Sequence, residues 1–296
     1  MTNRSITVIV PTYNDWERLS YCVQALSAQT YPATEFDVII VDNNPEDRVP
    51  ESFYLPANFK IITEVKPGSY AARNAALKIA TGEIIGFTDS DCIPDKDWIR
   101  NAVDHFNQNE SCTRIAGNIV LFTKTLKPTT AEYYERLYYF KQKEYVHKHG
   151  TGATANLFVY KYVFEKAGLF NDNLMSSGDF NWGIMAHKAG YRIDYVENVI
   201  VKHPARTLSE LIKKQKRVTG GKVQRRQGKQ PKLSVFLRFL KDARPRVRGD
   251  YKYIKENGPF LTPMRRLMVL LLRMQMRYVR AHEIMRLQLG KKPNRI

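Results

Sequence analysis

Two β-branched runs of strand length, Ile6-Thr7-Val8-Ile9-Val10 and Asp37-Val38-Ile39-Ile40-Val41, flank a helix-like stretch over residues 21–28. A strand, a helix and a second strand in that order form a βαβ start, and this constrains the fold more than any other feature of the chain. The alternation continues with a strand over 60–64, an Ala-rich helix over 69–80 and a strand over 83–88 that ends at Asp89. The pattern predicts an α/β fold, Rossmann-like, with a mostly parallel central sheet. In such sheets ligands bind beyond the carboxyl ends of the strands. Three strand ends carry polar clusters: Pro11-Thr12-Tyr13-Asn14, Asp42-Asn43-Asn44-Pro45 and Asp89-Ser90-Asp91. They are expected to converge on one edge. Beyond them come an aromatic-rich helical stretch over 131–145, a Gly/Thr segment over 150–156 and a helix-like run over 160–167. Asp179 then precedes a helix ended by Gly190, and a final strand spans 195–201.

The 296 residues, 43% of them hydrophobic, suffice for one large domain or for a domain of about 200 residues with an appendage, and exclude a chain disordered throughout. Cys22, Cys92 and Cys112 are odd in number and widely spaced, which argues against a disulfide framework or a thiolate zinc site and for a reducing, cytoplasmic compartment. Residues 1–5 lack the basic, apolar and small-residue regions of a signal peptide. The net charge of +18 is unevenly spread: residues 1–201 hold 20 Lys+Arg against 24 Asp+Glu, and residues 202–296 hold 27 against 5. The basic character therefore belongs to the C-terminal part. Two regions are expected, a domain over 1–205 and a basic helical region over 206–296.

Paired carboxylates separated by a small residue at a strand end suit a hard divalent cation that also holds phosphate oxygens. Asp89-Ser90-Asp91 has that form, although acidic turn residues also serve as simple caps. It gains specificity from Lys66-Pro67-Gly68-Ser69-Tyr70-Ala71-Ala72-Arg73-Asn74 and Ala80-Thr81-Gly82-Glu83 ahead of it. In order and spacing these segments resemble the inverting family-2 glycosyltransferases, which share a nucleotide-sugar-binding fold. The resemblance runs through about the first 205 residues and includes Val8-Ile9-Val10-Pro11-Thr12-Tyr13-Asn14, Ala167-Gly168-Leu169-Phe170-Asn171, and Gly178-Asp179 leading to Ala189-Gly190-Tyr191-Arg192.

The resemblance implies a sugar transfer from a nucleotide diphosphate, UDP by default, to a glycan or lipid-linked acceptor. It assigns Pro11, Tyr13 and Asp42 to the base and ribose, Arg73 to the nucleotide, and Asp89 to ribose or donor sugar. Asp91 becomes the ligand of Mn2+ or Mg2+, with His203 as a further ligand; otherwise His203 is a surface histidine beside Pro204. Asp179 is the carboxylate that takes the proton of the attacking hydroxyl, a role compatible with capping a helix. Three positions depart from the pattern on the acceptor side: Gly178 and Asn181 stand where acidic residues are usual, and Met185 where arginine is common. Tyr133, Tyr134, Tyr138, Tyr139 and Phe140 either stack on sugar rings or form a packed helix face, and the packed face is the expected role.

In the basic region, Thr207-Leu208-Ser209-Glu210 has capping-box spacing and Thr262-Pro263 reads as an N-cap followed by proline at the first helical position. A further helix is expected over 233–242. In the last helix Leu267, Leu270, Leu271, Met274, Tyr278 and Met285 share a face flanked by Arg266, Arg273, Arg277 and Arg280, a pattern that favours peripheral attachment to an anionic membrane on the cytoplasmic side. Met268, Leu272, Met276 and Val279 fall outside that face and leave room for packing within the protein or against a second subunit. Two other readings compete: a nucleic-acid-binding protein that uses the basic region, and a non-catalytic nucleotide-sugar-binding partner of another transferase. The first explains the charge but not the motifs, and no nucleic-acid-binding motif is present.

Overall fold

The computed structural model describes residues 3–44, 46, 49–51, 53–123, 126–174, 176–224 and 232–291; Pro45 of the second strand-end cluster lies outside them. Its sheet runs β3-β2-β1-β4-β7-β6-β8-β5. The first four strands are β1 (Ile6–Thr12), β2 (Phe36–Asp42), β3 (Phe59–Thr63) and β4 (Ile84–Thr88), all parallel. Continuing across the sheet, β6 (Arg114–Phe122) and β8 (Ile193–Pro204) keep that direction, whereas β5 (Ile93–Pro94) and β7 (Asn156–Tyr160) oppose it. The α/β fold with a mostly parallel sheet is thus present.

Val8, Ile9 and Val10 of β1 are each fully buried because both faces of the sheet are covered. Val8 and Val10 point to a layer that includes α1 (Trp16–Ser27) and α3 (Trp98–Gln108), while Ile9 points to the layer of α2 (Ser69–Ile79), α6 (Lys161–Ala167) and α7 (Gly178–Lys188). The sequence expectations omit α3, β5, β6, β7 and a helix over 247–257. In β6 the register against β8 shifts between Gly117 and Asn118, so the run Arg114-Ile115-Ala116-Gly117-Asn118 lacks a clean period of two. The stretch over 131–145 is two helices, α4 (Thr130–Tyr138) and α5 (Gln142–His149), separated at Phe140, whose φ of 51° no helix accommodates.

By compactness the chain forms two units, one comprising residues 1–122, 140–174 and 178–204, the other 123–139, 175–177 and 205 onward. The first contains the whole sheet. The second is helical: α4, α8 (Leu208–Gln224), α9 (Lys232–Ala243), α10 (Val247–Asn257) and α11 (Pro263–Gln288). Both expected caps form. Glu210 N donates to Thr207 Oγ1 and Thr207 N to Glu210 Oε2, and Thr262 accepts from Arg265 N with Pro263 at the first helical turn.

The core of the second unit takes Tyr134 and Leu137 from α4, Leu211, Ile254, and Val269, Leu270, Leu272 and Met276 from α11. Tyr133 and Tyr134 are buried in that core, as a packed helix face requires. Glu135, wholly buried, accepts from Arg206 N at 2.7 Å and Arg206 Nη1 at 2.5 Å, with Lys214 Nζ 3.6 Å away. Burial first, then the Arg206 charge, push the Lys214 ammonium down to about 7 against the opposing pull of Glu135. Asp250 holds Arg277 through two bonds of 2.9 and 3.0 Å and lies 3.6 Å from Arg273, so two arginines of the basic stripe on α11 are engaged within the unit. Meanwhile Met264, Leu267, Met268, Leu271 and Tyr278 of α11 remain exposed, with Phe236, Leu237 and Leu240 of α9. Among the described residues no helix is long and apolar enough to cross a membrane.

Candidate active site

The carboxyl ends of β1, β2 and β4 lie side by side, since Thr12 pairs with Asp42 in register and β4 runs along the other side of β1. The three strand-end clusters therefore share one edge. Asn43 binds them to the helix that follows: its amide donates to Glu64 O and Lys66 O, and its carbonyl oxygen accepts from Gly68 N at 2.6 Å. Gly68, with φ of 127°, turns the chain directly into α2. Asp42 is 3% exposed and accepts from Asn44 N at 3.0 Å, whereas Tyr13 is 55% exposed on the loop next to it.

Arg73 sits on α2 with its guanidinium buried under this edge, and its Nη2 reaches Asp89 Oδ1 at 2.5 Å. Its Nε, like Thr12 Oγ1, is buried without a hydrogen-bond partner among the described residues. Buried unpartnered polar atoms are uncommon, and two at one strand edge suit a polar ligand. Asp91 Oδ2 faces His203 Nε2 at 3.5 Å, while Arg18 Nη1 lies 3.9 Å from the same oxygen. His203 is fully buried at the end of β8, and its Nδ1 contacts Pro204 O at 2.7 Å. It is therefore not a surface histidine. A ring nitrogen hydrogen-bonded to a backbone carbonyl, with the other aimed at a carboxylate, is the arrangement that orients a histidine toward a cation.

Asp91, Cys92 and His203 could together hold a metal ion, with ligand atoms all within 4.8 Å of one another. Burial first, then the Asp91 and Asp89 charges, hold the Cys92 thiol well above its usual range. The donor set offered is therefore carboxylate and imidazole, which fits a hard or borderline divalent cation. A second group, His105, Cys112 and Asp194, is satisfied within the protein: His105 Nε2 lies 3.1 Å from Asp194 Oδ2, and Arg192 bonds the other carboxylate oxygen.

Asp179 stands in the first turn of α7, one residue inside the helix rather than at its cap. Its Oδ1 accepts from Phe180 N at 2.8 Å and Tyr70 Oη at 3.0 Å, and Oδ2 accepts from Thr154 N at 3.3 Å. The 150–156 segment that supplies Thr154 is pinned by two buried polar residues that sequence reasoning passed over. Arg114 donates to Gly150 O, Gly183 O and Tyr191 O, and Gln142 accepts from Ala153 N and donates to Asn156 O. Burial pushes the Arg114 guanidinium down to about 10. A lone arginine ahead of an apolar run gives no sign in sequence that three carbonyls await it. Arg73, Asp89, Tyr70 and Asp179 are thus linked through successive contacts, since the Arg73 guanidinium lies 5.8 Å from the Tyr70 ring.

The family described as "Glycosyl transferase family 2" matches residues 7–167. The chain is 35% identical over 227 residues to glycosyltransferase AglE of Haloferax volcanii, covering 74% of this chain and 73% of that protein. It is 27% identical over 221 residues to the glucosyl-dolichyl phosphate glucuronosyltransferase of the same organism, covering 67% and 68%. Among solved structures, the mannosyltransferase PcManGT of Pyrobaculum calidifontis, in complex with GDP-Man and Mn2+, superposes with a TM-score of 0.59 at 18% identity over 96% of this chain and 74% of that one.

Proposed function

Because the chain belongs to glycosyl transferase family 2, and is a glycosyltransferase, we propose that it transfers a sugar with inversion from a nucleoside diphosphate sugar to a glycan or lipid-linked acceptor in polysaccharide or glycoconjugate synthesis. The observation that carries this reading is the strand-edge constellation in which Arg73 meets Asp89, His203 meets Asp91, and Asp179 stands on three hydrogen-bond donors. The nucleic-acid-binding reading does not account for that constellation, and the non-catalytic reading accounts for its donor side but not for Asp179 on three donors.

In this mechanism Pro11, Tyr13 and Asp42 hold the base and ribose. Arg73 faces the nucleotide with a spare buried N–H, and Asp89, oriented by Arg73, meets ribose or donor sugar. Asp91 and His203 would hold Mn2+ or Mg2+, which when bound offsets charge developing on the leaving diphosphate. Asp179 accepts the proton of the acceptor hydroxyl as that oxygen bonds the anomeric carbon and the nucleoside diphosphate departs. UDP is the first donor nucleotide to test. A ligand that binds only the folded state raises the melting temperature, so a panel of UDP-, GDP- and dTDP-sugars with and without Mn2+ tests the donor assignment. One nucleotide class should raise Tm, and more so with the cation. No shift with any member would defeat the reading.

We further propose that the second unit attaches the enzyme peripherally to an anionic membrane surface, which fits a lipid-linked acceptor. The support is the exposed apolar row Met264, Leu267, Met268, Leu271 and Tyr278 amid a region whose Lys and Arg far outnumber its acids. Each basic side chain near an anionic leaflet contributes about 1 kcal/mol. Deleting this region would uncover Tyr134 and Leu137 of α4, so point variants make the better test. The full chain should sediment with phosphatidylserine vesicles in a salt-sensitive way, and Leu267→Glu with Leu271→Glu should abolish it. Equal sedimentation of both proteins would reject the proposal, and salt-sensitive binding to nucleic acid alone would favour the competing partner.

A further inference from the structure

Two of the three donors to Asp179, Phe180 N and Thr154 N, are backbone amides that almost any residue would supply. The third is chosen by its side chain. Tyr70 comes from the first turn of α2, 109 positions away, and its hydroxyl donates to Asp179 Oδ1 at 3.0 Å. Its ring is 6% exposed and packs 5.8 Å from the ring of Phe170, with the Arg73 guanidinium at the same distance. Burial first, then the Asp179 charge, push the phenol far above its usual range, so it keeps its proton and can only donate to the carboxylate.

Gly178 completes the arrangement. A Cβ at that position would lie 2.8 to 2.9 Å from three atoms of the Tyr70 ring, closer than van der Waals contact allows. A side chain at the position immediately before Asp179 would therefore collide with the Tyr70 ring unless the ring moved. We infer that Tyr70 is the positioning residue of the Asp179 carboxylate, and that Gly178 is glycine to admit the Tyr70 ring beside it. This rests on Asp179 being the base. Oδ1 accepts two hydrogen bonds and Oδ2 a single longer one, so the phenol fixes the plane of the carboxylate and leaves Oδ2 as the oxygen that meets the acceptor hydroxyl. The departure from the family pattern at 178 is then one half of a pair, with Tyr70 as the other.

The test uses the full-length enzyme, single-turnover transfer and calorimetry with the nucleotide sugar. Tyr70→Phe keeps the ring and removes only the donor; it should slow transfer by roughly 10- to 100-fold with donor affinity within about twofold of wild type. Residues that act through one group are non-additive, so Tyr70→Phe should cost nothing further in an Asp179→Asn background. Gly178→Ala should slow transfer while Tyr70 is present, and adding it to Tyr70→Ala should have no further effect. Wild-type rates in Tyr70→Phe beside a slow Asp179→Asn would overturn this inference and leave the base intact. Wild-type rates in Asp179→Asn would instead overturn the base. Equal losses from Tyr70→Phe in both backgrounds would assign Tyr70 to the fold rather than to Asp179, and a wild-type rate in Gly178→Ala would refute the steric half.

Discussion

Replacing Asp179 by asparagine is expected to slow the chemical step by roughly 10²- to 10⁴-fold, the range over which a positioned general base acts, while leaving nucleotide-sugar affinity nearly unchanged. The contrast follows from where the contacts lie. Donor contacts are assigned to Pro11, Tyr13, Asp42, Arg73, Asp89 and Asp91 on β1 and the loop after it, on β2, on α2 and after β4, whereas Asp179 approaches from α7. Asparagine keeps an oxygen that can accept from Tyr70 and Phe180 N, so the helix start survives, but an amide cannot take the proton. Single-turnover transfer measures the first effect and calorimetry with the donor the second. Unchanged turnover would remove Asp179 from the mechanism. Equal losses in turnover and donor affinity would move it to the donor side.

Much of the first half of the fold was legible because its strands are buried on both faces. Val8, Ile9, Val10 and Val38 to Val41 lie against helices on either side, so burial leaves a continuous apolar run that sequence alone reveals. The second half was less so. β6 opens on Arg114 and is interrupted where its register shifts at Gly117 and Asn118, and β7 opens on Asn156, whose amide is consumed by Asn118 O and Val199 O. Such strands owe their place to partners distant in sequence. In α11 the periodicity was visible but the choice of face was not: Val269, Leu272 and Met276 are buried and Leu267 and Leu271 exposed, a decision made by the helices packed against it.

The same division runs through the site. The Arg73–Asp89 contact was readable because both residues lie within local motifs, and it follows from the neighbouring positions of α2 and the end of β4. What local spacing could not convey is contact across long separations. Tyr70 lay inside the quoted motif yet carried no signal of a bond to Asp179, and Arg114 none of its three carbonyls. Gly178 read only as a missing acid, with no local sign of the Tyr70 ring that lies beside it.

Asp91→Ala is expected to abolish measurable transfer and to make donor binding indifferent to Mn2+. Asp91 Oδ2 lies 3.5 Å from His203 Nε2, and the histidine is fully buried with its other ring nitrogen against Pro204 O. With Nδ1 against a backbone carbonyl, Nε2 and the carboxylate are the two groups that face one another and that a divalent cation could take as ligands together. Removing the carboxylate takes away the charged member of the pair. Arg18, 3.9 Å from the same oxygen, is already bonded to Asp15 at 2.7 Å, so the substitution does not strand its charge. The fold should therefore persist, and a melting temperature near that of wild type in the absence of ligand checks this. Loss of electrostatic stabilisation at a leaving group costs on the order of 10²- to 10³-fold for a single donor, and a cation at a diphosphate should cost at least as much. The decisive readout is the increment in Tm that Mn2+ adds to donor binding, present in wild type and absent in the variant. His203→Ala, which leaves Asp91 in place, should retain part of that increment. An Asp91→Ala protein with full turnover and an undiminished response to Mn2+ would remove Asp91 from the cation site, and with it the chemistry that the Asp89-Ser90-Asp91 cluster was read to serve.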